Sequence, residues 1–521
     1  MQGRCPKLLA LVLLLTLLAA ACSPAAVTTP SVPGAGWVNG SPHLEPGAAV
    51  PGPDTPNIVF VLTDDLSWNL VKYMPHVLAM ERAGVTFRNY FVTDSLCCPS
   101  RTSILTGQFP HNSGVFGNTA PDGGFTAFLA HSDPSRTFAP VLQSRGYQTG
   151  LFGKFMNDYG PERTYDGQRP YVPPGWSAWV TADKYGYSEY GYTLSVGRQL
   201  GTYGDAPRDY LTSVLSTKAS QFIAASAKAH QPFMAEISTF SPHDPFVPAP
   251  ADASKFAGLR APQGPAFGRA VRNPPAWLSK IPALTTDVRR RIDRAFRLRV
   301  RDVQSVDRMI GRLQDQVANL GLADNTYFVF SSDNGLHLGE HNLRQGKQTA
   351  FDTDILVPLV VTGPGVPANR GVTQLAENVD LAPTFETLAG AVPPATVDGH
   401  SLVPLLRGRT PPDWRTAVLV EHHGPNVSEA DPDYPLPYSG NPPSYEAIRT
   451  ARYLYVEYID GQRELYDLAR DPYQLDNRYG AVSEQVQSRL HTTLLRMERC
   501  QGAATCWAAE HLAAPRRSPP G

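Results

Sequence analysis

The chain has 521 residues, of which 42% are hydrophobic and 18% are charged, a composition typical of a folded globular protein. Its formal net charge is -1 and its isoelectric point is about 6.9, so it lacks the excess of positive charge typical of a protein that coats nucleic acid. We therefore expect no nucleic-acid partner. The length exceeds what one compact core usually holds, so we expect one large domain and a smaller one.

Residues 1–22 have the pattern of a secretory signal. Arg4 and Lys7 precede an apolar run, which is too short and wrongly flanked for a membrane-spanning helix. The segment "LAAAC" ending at Cys22 resembles a bacterial lipoprotein cleavage site, although Ala19 stands where that pattern prefers Leu. We therefore predict an exported protein that is either secreted or held at the cell surface by a lipid on Cys22, with no other membrane contact.

Changes of composition along the chain predict its domain organisation. A linker rich in Pro, Gly and Ala follows the signal, and strands and helices alternate through the large domain after it. Further on, two aromatic-rich strands flank the turn Asp460-Gly461, which predicts a hairpin within a smaller antiparallel sheet. The predicted segments are linker 23–54, large domain 55–409, C-terminal subdomain 410–506 and tail 507–521.

Within the large domain, apolar strands end in polar or charged residues. Helical stretches, such as residues 293–319, lie between them, so we predict an α/β fold with a mostly parallel central sheet and helices on both faces. Ligands of such sheets bind beyond the carboxyl ends of the strands, where these polar groups fall. The strand-containing segments are 57–65 ("NIVFVLTDD"), 146–154, 232–246 and 326–335.

Two of these strands end in pairs of potential metal ligands. Asp64 and Asp65 follow one strand, and Asp333 and Asn334 follow another. Three carboxylates would repel one another unless a cation neutralised them, and oxygen ligands favour Ca²⁺ or Mg²⁺. A turn or a helix cap would explain either pair alone, but two pairs, each after an apolar strand, favour a metal site.

The sequence contains six cysteines, and two of them lack an evident structural role. Cys500 and Cys506 flank a short loop and are natural disulfide partners in an oxidising compartment, whereas Cys5 would leave with the signal. Adjacent cysteines seldom bridge each other, so Cys97 and Cys98 need another explanation.

The segment "CCPSRTSILTG" predicts a helix that begins near Cys97 and ends by Gly107. A thiol at a helix N-terminus, with Arg101 one turn along, can have a lowered pKa and act as a nucleophile. An ordinary cysteine nucleophile would also need a paired histidine, for which His111 and His243 are the candidates.

The pattern C-x-P-S-R-x-x-x-L-T-G from Cys97 to Gly107 resembles the signature of the type I sulfatases. The resemblance implies an alkaline-phosphatase-like fold, in which residues 55–409 form the catalytic domain. It also implies that a formylglycine-generating enzyme oxidises Cys97 to Cα-formylglycine during export. One hydroxyl of the aldehyde hydrate would attack sulfur and the other would drive the release of sulfate. Cys98 occupies the variable position of the signature, so we expect a buried free thiol there.

The same resemblance implies roles for other residues. Arg101 would steady the formylglycine, and Lys154 in "GLFGKFMNDYG" would contact the hydrate and the sulfate. His243 in "SPHDPF" would contact the sulfate ester and could protonate the leaving alcohol, and Lys347 would be the second sulfate lysine. The implied ligands of one Ca²⁺ per chain are Asp64, Asp65, Cys97, Asp333 and Asn334.

One position departs from most members of that family. Met156 stands where many sulfatases have a histidine, and Asn157 could replace that histidine in part. The pattern "GKxxNxYG" is similar to the branch that contains the N-acetylglucosamine-6-sulfatases and the extracellular heparan endosulfatases. We therefore expect a sulfuric ester hydrolase that acts on sulfated saccharides, with 6-O-sulfated N-acetylglucosamine as the favoured substrate. Roles remain open for several histidines, namely His111, His337, His341 and those of "EHHGPN" at 421–426.

Two other functions fit parts of the same pattern. The chain could be a phosphonate monoester or phosphodiester hydrolase of the same superfamily, since some of those enzymes also use a formylglycine. It could instead be a surface glycan-binding lipoprotein without catalysis. The second alternative is disfavoured because a degenerate binder should have lost part of the catalytic set. That set comprises Cys97, Arg101, Lys154, His243 and Lys347.

Overall fold

A computed structural model describes residue 52, residues 55–429 and residues 431–513. The predicted signal, the predicted lipid site at Cys22 and almost all of the predicted linker lie outside the described residues, as does the end of the tail, 514–521. Over the part that is described, no helix is both long enough and apolar enough to cross a membrane.

An eight-stranded sheet forms the centre of the molecule. Its strand order is β11-β2-β10-β9-β1-β8-β4-β5, and β10 alone runs antiparallel to the rest. The predicted mostly parallel sheet is therefore confirmed. The strands are β1 (Asn57–Thr63), β2 (Val85–Phe87), β3 (Tyr90–Phe91), β4 (Gln148–Gly153), β5 (Ala178–Thr181), β6 (Thr193–Val196), β7 (Gln199–Thr202), β8 (Phe233–Ser238), β9 (Thr326–Ser332), β10 (Leu359–Thr362), β11 (Arg370–Val372), β12 (Ala376–Glu377), β13 (Ala417–His422), β14 (Tyr445–Thr450), β15 (Tyr453–Tyr458) and β16 (Arg463–Asp467).

Helices cover both faces of this sheet. Alternate side chains of β1 enter different hydrophobic clusters: Phe60 packs with residues of α6 and α11, and Val61 packs with residues of α7 and α9. A strand buried on both faces has to be apolar along its whole length, which explains why "NIVFVLT" shows no alternation. The helices are α1 (Trp68–Val71), α2 (Pro75–Ala83), α3 (Cys97–Thr106), α4 (Pro110–Ser113), α5 (Gly124–His131), α6 (Phe138–Ser144), α7 (Leu211–Lys228), α8 (Ala276–Ser279), α9 (Thr286–Asn319), α10 (Asp352–Ile355), α11 (Leu381–Leu388), α12 (Val403–Leu406), α13 (Glu484–Met497) and α14 (Ala503–Ala509).

The long helix α9 ends at Asn319 as predicted but begins at Thr286 instead of residue 293. Its N-cap is Thr285, whose side chain accepts a hydrogen bond of 3.3 Å from the backbone N–H of Val288. The prediction missed this first part because the arginine-rich segment before residue 293 has few apolar residues to reveal the helical period.

A second, four-stranded antiparallel sheet contains β13, β14, β15 and β16 in that order. The predicted hairpin is confirmed, since β15 and β16 pair around Asp460-Gly461 and Gly461 has a φ of 85°. The predicted disulfide between Cys500 and Cys506 is also present. Helix α14 continues beyond Cys506 to Ala509, so packed structure reaches into the segment predicted as a tail.

Candidate active site

The two predicted acidic pairs meet because their strands are neighbours. β1 and β9 pair in parallel with Thr63 opposite Ser332, which places the next residues of both strands side by side. The backbone N–H of Asp65 donates to Asp333 Oδ1 at 3.1 Å, and Asn334 Nδ2 donates to Asp65 Oδ1 at 2.6 Å. The carboxyl ends of the two strands thus form one buried, oxygen-rich cluster.

Helix α3 points its first residue at this cluster. Cys97 is fully buried, and its thiol donates to Asp64 Oδ1 at 3.1 Å. One turn later, Arg101 Nε donates to Asp333 Oδ2 at 2.8 Å, which ties the helix to the end of β9. The helix ends at Gly107, which adopts the left-handed conformation with a φ of 68° and donates its N–H to Ser103 O at 2.9 Å.

Two lysines enter the cluster from opposite sides. Lys154 follows β4, and its Nζ lies 2.6 Å from Asp64 Oδ2. It can do so because Gly153, at a φ of 119°, passes so close to β8 that an added Cβ would lie 1.9 Å from Ser238 O. Lys347 Nζ lies 2.6 Å from Asp65 Oδ1 and donates to Cys97 Sγ at 3.0 Å.

His243 completes the group of predicted residues. Its Nδ1 lies 2.7 Å from the backbone carbonyl of Asp244, and its Nε2 lies 3.6 Å from Asp65 Oδ2 and 2.8 Å from Asp433 Oδ1. Burial disfavours the charged imidazole, but these carboxylates outweigh it and raise the pKa of His243 to about 9. In the charged ring that this raised pKa favours, Nδ1 donates to the carbonyl of Asp244 and Nε2 carries a second proton, directed at Asp433 and Asp65.

The electrostatics of the site do not favour a cysteine thiolate. Burial raises the pKa of Cys97 well above its usual value, and the carboxylates of Asp333, Asp433 and Asp64 raise it further. The expectation of a low-pKa nucleophile at the helix N-terminus is therefore wrong for the unmodified residue. The Cys98 thiol is also free and buried, as predicted, and burial raises its pKa to about 12.

The residues present fit a divalent cation. Ligand atoms of Asp64, Asp65, Cys97 and His243 all lie within 4.8 Å of one another. The buried Asn334 Oδ1, beside them, accepts no hydrogen bond from the described residues. A buried amide oxygen without a donor suits a hard cation, as do the neighbouring carboxylates. All three carboxylates of the predicted ligand set also pair with protein cations: Asp64 with Lys154, Asp65 with Lys347 and Asp333 with Arg101.

Three residues at the site escaped the sequence analysis. Asp433 reaches in from the connection between β13 and β14, and Asn118 Nδ2 donates to its Oδ2 at 2.7 Å. The ring of Tyr187 lies 5.0 Å from Lys154 Nζ and 4.5 Å from the ring of His243. All three lie in irregular segments or short helical turns without hydrophobic periodicity, so the sequence offered no signal that places them here.

Several histidines with open roles lie away from the cluster. His111 pairs with Glu421 at 2.9 Å, so it is not the partner of Cys97. His337 pairs with Asp354, and His341 bonds to the backbone of Tyr473. Their contacts are those of structural residues. In "EHHGPN", the buried His422 lies 3.7 Å from Asp94 and against the ring of Tyr445, and His423 stacks on Phe116.

Two cavities flank this cluster of residues. One, of about 230 Å³, is lined by Lys154, Tyr187, Met156 and Asn157. Met156 is the residue that stands in place of the histidine found in many sulfatases, and Asn157 is its expected partial replacement. Asn157 Nδ2 lies 3.4 Å from the hydroxyl of Tyr187, so its amide faces this cavity wall. The other cavity, of about 150 Å³, lies on the side of Lys347 and is lined also by His243 and Asp433.

Comparisons with known proteins agree with this geometry. The family model described as Sulfatase matches residues 56–391, and one described as N-sulphoglucosamine sulphohydrolase, C-terminal, matches residues 339–500. An N-acetylglucosamine-6-sulfatase of Capra hircus is 34% identical over 489 residues, which cover 88% of this chain and 86% of that protein.

Two solved structures share the fold. One, determined in complex with its substrate D-glucosamine-2-N,6-O-disulfate, has a TM-score of 0.71 at 23% identity and covers 85% of this chain and 98% of its own. The phosphonate monoester hydrolase of Silicibacter pomeroyi has a TM-score of 0.65 at 22% identity and covers 86% of this chain and 96% of its own. At these identities the likeness establishes the alkaline-phosphatase-like architecture and does not distinguish between the two activities.

Proposed function

The chain belongs to the sulfatase family, and we propose that it removes the 6-O-sulfate of N-acetylglucosamine residues by means of a formylglycine formed from Cys97. Hydrolysis of sulfate esters follows from the family itself. The favoured sugar is supported by the 34% identity to an N-acetylglucosamine-6-sulfatase over most of both chains.

The observation that carries the proposed chemistry is the position of the Cys97 side chain. Its sulfur lies 3.0 Å from Lys347 Nζ and 3.1 Å from Asp64 Oδ1, in surroundings that keep a thiol protonated and therefore unreactive. A formylglycine hydrate at this position would supply two hydroxyls, one to attack sulfur and one to release sulfate. The contacts with Lys347 and Asp64 would hold those hydroxyls in place.

The other residues of the site would bind and orient the sulfate ester. The ammonium group of Lys347 lies 3.0 Å from Cys97 Sγ, and that of Lys154 binds Asp64, which also contacts Cys97. Both can donate to sulfate oxygens, where fixed donors stabilise negative charge best. Nε2 of His243 carries the proton that the leaving alcohol requires. Arg101 acts through Asp333, which it holds as a carboxylate.

A Ca²⁺ would be held by Asp64, Asp65 and Asn334, with the residue at position 97 and Asp333 completing the proposed set. Bound there, it would polarise the sulfate and reverse the negative field that three carboxylates create. The amide oxygen of Asn334, buried without a donor among the described residues, supports this assignment.

The proposal has consequences for partners and location. Conversion of Cys97 needs a formylglycine-generating enzyme, and the family implies that it acts during export, in line with the signal pattern of residues 1–22. The chain would then act on sulfated saccharides outside the cytoplasm, secreted or anchored by a lipid on Cys22. Nucleic acid is not an expected partner.

A panel of defined esters tests this function. N-acetylglucosamine 6-sulfate, free or at a glycan end, should be hydrolysed faster than galactose sulfates or 2-O-sulfated uronates. Paired aryl sulfate, phosphonate monoester and phosphodiester substrates should show a preference for sulfate. Preference for the phosphonate or phosphodiester would make the chain a hydrolase of that class, and preference for a choline or aryl sulfate over every 6-sulfated hexosamine would overturn the sugar assignment alone.

A further inference from the structure

The connection between β13 and β14 brings a carboxylate into the catalytic centre. These strands pair up to His422 and Tyr445, so an ordinary hairpin would join them through roughly two to five residues, whereas here the chain makes a long excursion. Long irregular connections in compact domains are commonly active-site lids or binding loops. We define residues 431–441 as the lid segment.

We propose that Asp433 is an internal competitor for the sulfate position and that the lid segment must move before a substrate binds. This inference rests on the proposed function, because that function assigns the sulfate position to Lys154, Lys347 and His243. A carboxylate and a sulfate both present anionic oxygens to hydrogen-bond donors, so one can take the place of the other.

The contacts of Asp433 are those that a sulfate would need. Its Oδ1 lies 2.8 Å from both Lys347 Nζ and His243 Nε2. Its Oδ2 accepts from Asn118 Nδ2 at 2.7 Å and lies 3.4 Å from Cys97 Sγ. Only 4% of the Asp433 side chain is exposed, and two cations of the proposed sulfate site are bound to its carboxylate. A sulfate cannot reach those cations while Asp433 remains there.

The lid segment is fixed at both ends. At one end, Asp431 accepts hydrogen bonds from Asn118 Nδ2 at 3.1 Å and from Asn426 Nδ2 at 2.8 Å. At the other end, the ring of His337 lies 2.9 Å from the carbonyl of Ser439. The Asp431 end is shared with Asp433, whose backbone N–H donates to Asp431 Oδ1 at 2.9 Å, but none of these contacts needs the Asp433 carboxylate, so the ends can stay in place while that carboxylate moves.

The Asp433 carboxylate makes the buried contacts of the middle of the lid segment, and Arg344 adds a hydrogen bond of 2.9 Å from its backbone N–H to the carbonyl of Tyr438. The carbonyl of Asp433 also accepts from Gln348 Nε2 at 3.0 Å. Three of its large apolar or aromatic side chains are substantially exposed, although the guanidinium of Arg344 lies 4.8 Å from the centre of the Tyr438 ring. Their exposed fractions are 41% for Tyr434, 63% for Leu436 and 45% for Tyr438. Displacement of one carboxylate would therefore release a segment with little apolar packing to retain it.

The same segment separates the two cavities beside the catalytic residues. Pro432 lines both the cavity next to Lys154 and the cavity next to Lys347. Withdrawal of the lid segment would join them into one cleft around position 97. A small anion has only its own charge with which to displace Asp433, whereas a sulfated sugar can add contacts along the opened cleft. The lid thus selects sulfated saccharides over inorganic sulfate or phosphate.

Binding of inorganic sulfate tests the competition without turnover. Calorimetric titration of Asp433→Asn should show sulfate binding roughly tenfold tighter than in the unchanged protein, because one buried anionic competitor has been removed. Asp433→Glu retains the charge and should bind sulfate like the unchanged protein. Glu429→Gln removes an exposed charge from the same connection and serves as the matched control.

Kinetics and exchange measurements complete the test. With a 6-sulfated sugar, Asp433→Asn should lower KM by a similar factor while kcat stays within about twofold, the pattern of altered ground-state binding. In the unchanged protein, sulfate should increase amide hydrogen exchange in residues 431–441, although a bound ligand usually slows exchange. Equal sulfate affinity in both proteins, a large fall of kcat, or slower exchange in the lid segment would each overturn the proposal. Failure of every sulfate ester as a substrate would refute the proposed function and leave the sulfate-binding comparison intact.

Discussion

Replacing His111 by Gln will destabilise the protein most at mildly acidic pH and least in alkali. His111 lies in α4, next to the catalytic helix α3, and its Nδ1 pairs with Glu421 of β13 at 2.9 Å. Its Nε2 lies 2.8 Å from the carbonyl of Cys500 in the disulfide loop. One imidazole thus joins the region of the large sheet to the C-terminal sheet.

The magnitude follows from the pKa of His111. Burial disfavours the charged ring, but the ion pair with Glu421 outweighs it and raises the pKa from 6.5 to about 9. Because the pKa of His111 is higher in the folded than in the unfolded protein, its charged ring contributes its full stabilisation below about pH 6.5. This contribution to the free energy of unfolding is lost as the pH rises through about 9. The rise from 6.5 to about 9 corresponds to at most about 3.5 kcal/mol, and the remaining 16% exposure of the side chain reduces it.

Denaturant unfolding at about pH 6 and about pH 10 measures this contribution. The difference in the free energy of unfolding between the unchanged protein and His111→Gln should shrink by about 1–3 kcal/mol between the two conditions. His131→Gln, which changes an exposed histidine of α5, should show no such dependence. A difference that stays constant with pH, or grows in alkali, would refute the assignment of a charged His111.

The remaining predictions concern the catalytic centre. Cys97→Ala should abolish sulfatase activity while the melting temperature stays close to that of the unchanged protein, whereas Cys98→Ser should keep much of the activity; equal loss would mean that the wrong thiol has been assigned. Chelation should lower turnover, and Asp333→Ala should lower both bound Ca²⁺ and turnover; a fully active enzyme without metal would contradict the calcium assignment. Raising the ionic strength should inhibit turnover only modestly, because the sulfate would be held by buried groups that salt screens weakly; a steep loss would indicate many exposed contacts.

The sequence predicted most of the catalytic cluster because parallel sheets obey a simple geometric rule. Apolar segments that end in acidic residues predict parallel strands whose carboxyl ends lie at one edge of the sheet. In the structure, β1 and β9 are direct neighbours, and Asp64 and Asp333 lie at that edge. The residue types around Cys97 also predict where the helix α3 begins and that it ends at Gly107, a glycine in the left-handed conformation. These features depend on short-range rules, so one sequence suffices to find them.

The features that escaped prediction depend on long-range placement. Asp433 lies far along the chain from Lys347 and His243, in an irregular segment whose path is set by tertiary anchors such as the bond between Asn118 and Asp431. The start of α9 at Thr286 was missed because charged residues surround the two buried apolar positions of that end, Val288 and Ile292. The partner of His111 likewise comes from a strand of the other sheet.

The mass of the peptide that contains Cys97 tests the central claim most directly. The protein should be produced with a formylglycine-generating enzyme, digested and measured alongside its rate of hydrolysis of N-acetylglucosamine 6-sulfate. We predict that an aldehyde replaces the Cys97 thiol, that Cys98 stays a thiol, and that activity rises in proportion to the converted fraction. Full activity in a preparation whose Cys97 is entirely unconverted would contradict the account.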